Sequence, residues 1–345
     1  MKRLRVAVIG AGMAFGPHAR ALLDLQDRID VACVVSRSPA RRDDIRARYG
    51  FVTAPSLDDV TRDPGIEAVI VLTPPASHLE ITRALASCGK HILLEKPLSV
   101  SVPAAREIVD LCARQQVLLG TVLQHRFRAS ARELRQLLDE GRLGRIEGIF
   151  ISIPWWRPQT YYDEPGRGTF ARDGGGVLVT QGIHTIDLAL SLAGPVAEVF
   201  AYAATSRVHK METEDMVVAS LRFESGALGS LSASTACYPG FSEQIRIVGT
   251  NGSATLEGEA LQVSFMDGTF HASGTPGVLG GGADPMAFSR ASHRALIAQF
   301  AEAVRARRDP VPGGREALDV QLLIDGLLRS ARERTVVAVE HAGSG

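Results

Sequence analysis

Residues 4–18 read Leu-Arg-Val-Ala-Val-Ile-Gly-Ala-Gly-Met-Ala-Phe-Gly-Pro-His. Leu4 to Ile9 is a short apolar run rich in β-branched residues, the pattern of a strand. Gly10 and Gly12 follow at once, and from Pro17 the chain turns helical, with Ala19, Leu22 and Leu23 supplying an apolar face. Strand, glycine turn and helix start are what a dinucleotide pyrophosphate needs. Gly10 permits the tight turn, Gly12 lets the backbone approach the phosphates, and the free N–H groups of the new helix face the anion. The third position of the fingerprint departs from the usual pattern. Phe15 stands where glycine or alanine is common, and Gly16 comes one residue late, so the helix is expected to sit slightly differently on its strand.

Outward from that stretch, strands and helices alternate to about residue 122. Val31 to Val35 is a second strand. Ser38-Pro39 opens a helix, with serine as cap and proline in the first turn, and Gly50 ends it. Ala68 to Leu72 has no polar residue, as expected of a strand covered on both faces. Ser77-His-Leu-Glu80 has the form of a capping box, and Gly89 stops the helix it opens. His91 to Leu94 and Val117 to Val122 are further strands, with a helix from Ser101 to Arg114 between them. Short strands joined by helical crossovers predict an α/β fold with a doubly wound parallel sheet over residues 1–122. Ligands in such sheets sit beyond the carboxyl ends of the strands. Gly10, Gly12, Met13, Ala14, Ser36, Arg37, Thr73, Pro74, Glu95 and Lys96 are therefore the candidate cofactor residues. The second strand ends in Ser36-Arg37-Ser38, with no carboxylate for the adenosine ribose hydroxyls. A guanidinium there suits a 2′-phosphate, so NADP(H) is expected over NAD(H). The plainer alternative makes Ser38 only a helix cap and Arg37 only a solvated side chain.

The 345 residues suffice for two domains, and 45% of them are hydrophobic. Thirty-eight lysines and arginines balance 38 aspartates and glutamates, which argues against a nucleic-acid surface. Cys33, Cys88, Cys112 and Cys237 are scattered and form no C-x-x-C pair, so they read as small core residues in a reducing compartment and not as metal ligands. No signal-type segment and no membrane-spanning run is evident, so a soluble cytoplasmic location is expected.

Two stretches carry candidate reacting groups. In Gly89-Lys-His-Ile-Leu-Leu-Glu-Lys-Pro97, Lys96 follows a buried strand and falls at the carboxyl edge of the sheet. A lysine there can serve a substrate hydroxyl, and partial burial brings an ammonium towards proton exchange at neutral pH. The second stretch, residues 173–187, places three glycines before a helix on which Thr180, His184 and Asp187 recur at i, i+4 and i+7. Imidazole is the side chain best matched to proton transfer near neutrality, and Asp187 would orient it or hold the helix. Thr180, Gln181 and Arg126 would position the substrate.

In these residues the chain resembles the Gfo/Idh/MocA family of oxidoreductases, the relatives of glucose–fructose oxidoreductase and inositol dehydrogenase. The resemblance rests on Gly10-Ala-Gly12 with His18, Thr73-Pro74 with His78, Glu95-Lys96-Pro97, Gln124 with Arg126, and Gly174-Gly-Gly with Gly182, His184 and Asp187. It implies an N-terminal Rossmann domain and a C-terminal α/β domain with a large, mostly antiparallel open sheet. It implies that Lys96 and His184 act on a sugar or cyclitol hydroxyl, that His78 belongs to the cofactor-binding set, and that the Lys96–Pro97 peptide is cis. Thr180 departs from the aspartate many family members carry beside the substrate, which removes a charge from that place.

Residues 123–345 are then a substrate-binding and oligomerisation domain. Arg132 to Glu140 reads as a helix with Leu134, Leu137 and Leu138 inward, and Ile146 to Pro154 as a strand. The loop from Pro158 to Asp173 holds Tyr161, Tyr162, Arg167 and Arg172. Tyr162 and Arg172 are candidate contacts to a polyol or sugar nucleotide, and ordinary loop packing is the alternative. From Val196 to Phe265 apolar and polar residues alternate, and glycines punctuate hairpins. One sheet face carries small, weakly polar residues, which suits a homodimer or homotetramer. Residues 274–282 are glycine-rich and read as a surface loop, and His293 as a packing residue in a terminal helix. The expected function is hydride transfer between a nicotinamide cofactor and a secondary hydroxyl. The alternatives are a non-catalytic nucleotide- and sugar-sensing regulator, or a glycoside hydrolase with tightly bound NAD.

Overall fold

In the first sheet the strands run β1 (Leu4–Ile9), β2 (Ile29–Val35), β3 (Thr53–Ala54), β4 (Ala68–Val71), β5 (His91–Leu94) and β6 (Leu119–Thr121). Their order is β3-β2-β1-β4-β5-β6, and every pair is parallel. The computed structural model describes residues 2–276 and 290–343. All four residues of β4 are buried, as a strand covered on both faces requires. The helices are α1 (Phe15–Asp24), α2 (Pro39–Tyr49), α3 (Asp58–Thr61), α4 (His78–Ser87) and α5 (Val102–Arg114). Ser38 caps α2 through the Arg41 N–H, and left-handed Gly50 ends it at φ +70°. Two sequence expectations shift. Helix α1 opens at Phe15, two residues before Pro17, and Phe15 packs edge-on against Tyr49 of α2 with ring centroids 5.5 Å apart. Ser77 does not cap α4. A 3-10 turn over Pro75–Ser77 makes Ser77 itself helical, so its hydroxyl turns to Thr73 Oγ1 (2.9 Å) and the Pro74 carbonyl (2.8 Å).

The chain divides into two compact units, one of residues 1–122 with 289–318, the other of residues 123–288 with 319–345. Helix α10 (Arg290–Ala306) thus belongs with the first sheet and not with the C-terminal domain expected over 123–345. Its His293 ring lies 5.2 Å from that of His18 on α1. The glycine-rich loop expected at 274–282 lies outside the described residues from 277 onward.

The second unit is built on nine strands. They are β7 (Ile146–Pro154), β8 (Val196–Ala204), β9 (Met216–Phe223), β10 (Leu228–Ser234), β11 (Gln244–Gly249), β12 (Gly252–Glu257), β13 (Ala260–Phe265), β14 (Phe270–Ser273) and β15 (Val337–Ala338). The order is β14-β13-β12-β11-β7-β10-β9-β8-β15, antiparallel except where β10 meets β7. On β9, Val217, Ala219, Leu221 and Phe223 are buried while Met216, Val218, Ser220 and Arg222 are exposed, as period-two alternation demands. The open face is more apolar than the serines suggested: Phe150, Tyr202, Val218 and Leu228 are all exposed. The helices are α6 (Ala129–Asp139), two single turns α7 (Gln159–Tyr162) and α8 (Phe170–Asp173), α9 (Ile183–Ala193) and, from residue 319 on, the C-terminal α11 (Gly314–Glu333). Helix α6 starts three residues earlier than expected and buries Ser130, Ala131 and Leu134, leaving Leu137 and Leu138 half-buried. Residues Phe170–Ala193 are long and apolar enough to cross a membrane, but 78% of that window is buried within the protein, as in a core helix.

Candidate active site

Four loops, after β1, β2, β4 and β5, hold the candidate cofactor residues at the carboxyl ends of the first sheet's strands. Gly10 sits at φ +100°, and a Cβ there would fall 2.8 Å from the Leu72 carbonyl at the end of β4, so only glycine makes this turn. A Cβ on Gly12 would meet nothing within 4 Å. Ala14 begins α1 without a side-chain cap, and no carboxylate lies in the first turn. An open approach over Gly12 to an uncapped helix N-terminus fits a pyrophosphate. At the tip of β2, Arg42 donates to the Ser36 carbonyl (2.7 Å) and the Arg37 carbonyl (3.0 Å), while the Arg37 side chain is exposed.

Lys96 is half-buried just past β5, and its peptide to Pro97 is cis, as the family resemblance implied. Glu95 is folded back under it, accepting from the Lys96 main-chain N–H (2.7 Å). The other carboxylate oxygen of Glu95 lies 3.5 Å from His18 Nε2. Burial alone would raise the Glu95 carboxyl, but the adjacent His18, Lys96 and His293 hold it below the usual carboxylate range. His78 brackets two of these loops from within. It is fully buried, with Nε2 2.8 Å from the Thr73 carbonyl and Nδ1 3.1 Å from the carbonyls of Pro97 and Leu98. It ties the Thr73-Pro74 loop to the turn bearing Lys96, and burial holds its imidazole below the usual range. Neither His18 nor His293 enters the sequence-derived site. In the sequence His18 enters only as a residue of the family motif and His293 only as a packing residue.

In the second unit His184 lies in the first turn of α9 and is 3% exposed. A π turn over Leu178–Gly182 precedes α9. Its i→i+5 spacing widens the helix by one residue just ahead of His184. Thr180 is half-buried and donates to the Gly176 carbonyl (2.6 Å) and to Gln181 Oε1. The glycines before this turn admit the protein's own Glu214. A Cβ on Gly176 would lie 1.8 Å from the Glu214 carbonyl oxygen. The Glu214 carboxylate accepts from the Gly176 N–H (3.0 Å) and the Leu178 N–H (3.4 Å), and burial raises its pKa against those bonds.

Asp187 and Arg126 bind each other. Arg126 Nε donates to Oδ2 (2.8 Å) and the terminal nitrogen to Oδ1 (2.6 Å), with the Asp187 side chain fully buried. His125, beside Arg126, places its ring 5.0 Å from that of His184. A guanidinium only donates, so His125 Nε2 accepts from Arg128 (2.9 Å), and Arg128 in turn pairs with Glu243, which also accepts from Trp155 Nε1 (3.1 Å). In the sequence His125 falls within Gln124–Arg126, at the carboxyl end of the sheet, but carries no role of its own there. Tyr162 and Arg172 both have partners within the protein. Tyr162 is buried, with its hydroxyl 2.7 Å from Thr235 Oγ1 and its phenol pKa pushed up by burial, and Arg172 is held by Glu164 (2.9 Å). The tyrosine that meets Gln181 is Tyr161. Its hydroxyl accepts from Gln181 Nε2 (3.3 Å) and Arg167 (2.8 Å), and the Arg167 guanidinium lies 4.3 Å over its ring.

A Rossmann sheet with an open Gly12 turn and a lysine at the end of β5, joined in one chain to a nine-stranded sheet bearing a buried histidine helix, defines a nicotinamide-dependent dehydrogenase. The chain belongs to the Gfo/Idh/MocA family: residues 4–122 match the oxidoreductase family's NAD-binding Rossmann fold, and residues 131–255 match the GFO/IDH/MocA C-terminal domain. It is 28% identical to the myo-inositol 2-dehydrogenase of Thermotoga maritima over 72% of this chain and 74% of that protein. It is 23% identical to IolW, the NADP(+)-dependent scyllo-inositol 2-dehydrogenase of Bacillus subtilis, over 98% and 96%. Among solved structures, the WlbA dehydrogenase of Bordetella pertussis, in complex with NADH and UDP-GlcNAcA, superposes with a TM-score of 0.86 at 27% identity, covering 98% of each chain.

Proposed function

We propose that this chain oxidises a secondary hydroxyl of a sugar, cyclitol or related polyol, or reduces the corresponding ketone. The observation that carries the reading is Lys96 at the end of β5, with its backbone fixed by Glu95 and its loop bracketed by His78. A bound nicotinamide supplies one thing, an acceptor or donor of the hydride on the substrate carbon. The hydroxyl proton remains for side chains: Lys96 Nζ holds and polarises the oxygen, and the imidazole of His184 takes or returns the proton. Gln181, braced by Tyr161, offers an amide to a neighbouring hydroxyl. The inositol and sugar-derivative relatives support this substrate class.

The same reading assigns NADP(H) as the preferred cofactor, because β2 ends without a carboxylate and with the Arg37 guanidinium exposed. Titrating cofactor-free protein with NADPH and NADH, followed by energy transfer from tryptophan, should give the tighter constant for NADPH. Arg37→Asp should invert the ratio by roughly tenfold or more, since one charged hydrogen bond is lost and a repulsion gained. An unchanged ratio removes Arg37 from cofactor choice. The exposed apolar face of the nine-stranded sheet supports a homodimer or a dimer of dimers through that face. Light scattering at micromolar concentration should give a multiple of the 36.9 kDa chain mass, and Val218→Asp with Tyr202→Asp should shift it to monomer. A wild-type monomer sinks the assignment.

A further inference from the structure

The strands that end in the cofactor loops begin at a second concavity. It has a volume of about 610 Å³ and lies at the starts of β1, β4 and β5 and the last turn of α10. Six residues of β1 at about 3.3 Å each put it about 20 Å from the Gly10 turn. Five permanent cations line it, Lys2, Arg3, Lys90, Arg305 and Arg307, against one carboxylate, Glu67. In a chain whose charges balance at 38 to 38, that is a local excess with no counterpart in composition.

Two of these cations, Lys90 and Arg305, are built into the wall, while Lys2, Arg3 and Arg307 are exposed. Lys90 is 4% exposed, and its Nζ donates to two backbone carbonyls, Asp63 (2.6 Å) and Ile66 (2.8 Å). An ammonium has three donors, so one remains, and no carboxylate pairs with it among the described residues. Arg305 donates through its terminal nitrogen to the Arg28 and Lys2 carbonyls, while its Nε is buried with no partner. The nearby acids are taken up by Arg5 and, for Asp30, by the lining Arg3, so the excess rests on the other cations. Asp63 pairs with Arg5 (2.9 Å), Asp30 with Arg3 (3.5 Å) and Arg5 (3.7 Å), and Glu67 accepts from the Arg5 N–H (3.2 Å). His91 Nδ1 accepts from the Leu118 N–H (3.1 Å), which leaves Nε2–H of the neutral ring as a further donor. Holding cations out of water without carboxylates costs free energy that an anion would offset. A single carboxylate cannot use so many donors. A phosphate, with up to two charges and three terminal oxygens, can, and the volume falls in the range of small-molecule sites.

We propose that this concavity binds a phosphate-bearing small molecule, held by Lys90, Arg305 and Arg307, at a place separate from the dinucleotide site. Calorimetric titration of NAD+-saturated protein with inorganic pyrophosphate, and separately with glucose 6-phosphate, tests it with the cofactor loops already filled. One equivalent per chain is expected. Tighter binding of glucose 6-phosphate marks a phosphorylated metabolite as the source, and tighter pyrophosphate marks the inorganic ion. Arg307→Glu, on an exposed side chain, should weaken binding about tenfold or more with NAD+ affinity unchanged, and Lys90→Met should do the same where it folds. Three results overturn the proposal: no saturable binding of either probe up to about 10 mM, an unchanged affinity in folded Arg307→Glu with Lys2→Glu, or binding that NAD+ displaces. None of these bears on whether Lys96 and His184 carry hydride chemistry, so the two readings fail separately.

Discussion

Lys96→Met should lower turnover by about 10²–10⁴-fold, the usual contribution of a positioned acid–base group, and leave the cofactor dissociation constant within a few-fold of wild type. The two effects separate because the pyrophosphate cradle and the lysine stand on different loops. Gly10, Gly12 and the start of α1 follow β1, whereas Lys96 follows β5. The main chain at Lys96 is fixed by Glu95 and by the His78 bracket, so removing the ammonium leaves its loop in place. Lys96→Arg divides the role further. It keeps a positive charge, but a guanidinium stays protonated throughout the working range, so it can polarise an oxygen and cannot relay a proton. Steady-state rates of NAD(P)H formation on the best polyol substrate, with cofactor affinity from tryptophan energy transfer, are the readouts. A Lys96→Met enzyme with near-normal turnover takes the lysine out of the mechanism. An arginine variant as active as wild type leaves it only an electrostatic part.

The first unit was legible in the sequence because its signals are local. Apolar strands, the Gly10 turn, the Ser38 cap and the Gly50 stop each act within a few residues, and each forms where expected. The alternation on β9 is local in the same sense. What the sequence hid depends on residues far apart in the chain. Asp187 meets a guanidinium 61 positions away, and Glu214 reaches back 38 positions to cap the turn before His184. The π turn at Leu178–Gly182 has no periodic signature in the sequence. Tyr161 and Tyr162 show the same limit. They are adjacent and alike in composition, yet one braces Gln181 and the other is buried on Thr235. Placing α10 with the first sheet likewise required tertiary packing, since nothing in its amphipathic pattern says which sheet it covers.

Arg126→Met should destabilise the protein by about 3–5 kcal/mol, the usual cost of stripping one partner from a buried ion pair. For a unit of this size that is a fall in Tm of about 10 °C. The Asp187 side chain is fully buried, so loss of the Arg126 fork leaves its carboxylate in the protein interior without its guanidinium. The pair also joins two elements of the candidate site. Arg126 lies in the turn Gln124–Phe127 with His125, and Asp187 lies one turn along α9 from His184, whose ring faces that of His125 at 5.0 Å. The fork therefore sets the register of the imidazole on α9 as well as holding the helix. The double variant Arg126→Met with Asp187→Leu distinguishes these roles. Removing both charges should restore most of the lost Tm, because apolar pairs replace buried ion pairs at little cost. Turnover should stay low, because Met and Leu impose no bidentate geometry on α9. Calorimetry and steady-state rates on the two variants decide it. Recovery of turnover together with Tm would reduce the pair to packing, and an Arg126→Met protein melting within about 2 °C of wild type would mean that Asp187 does not depend on this arginine for its charge.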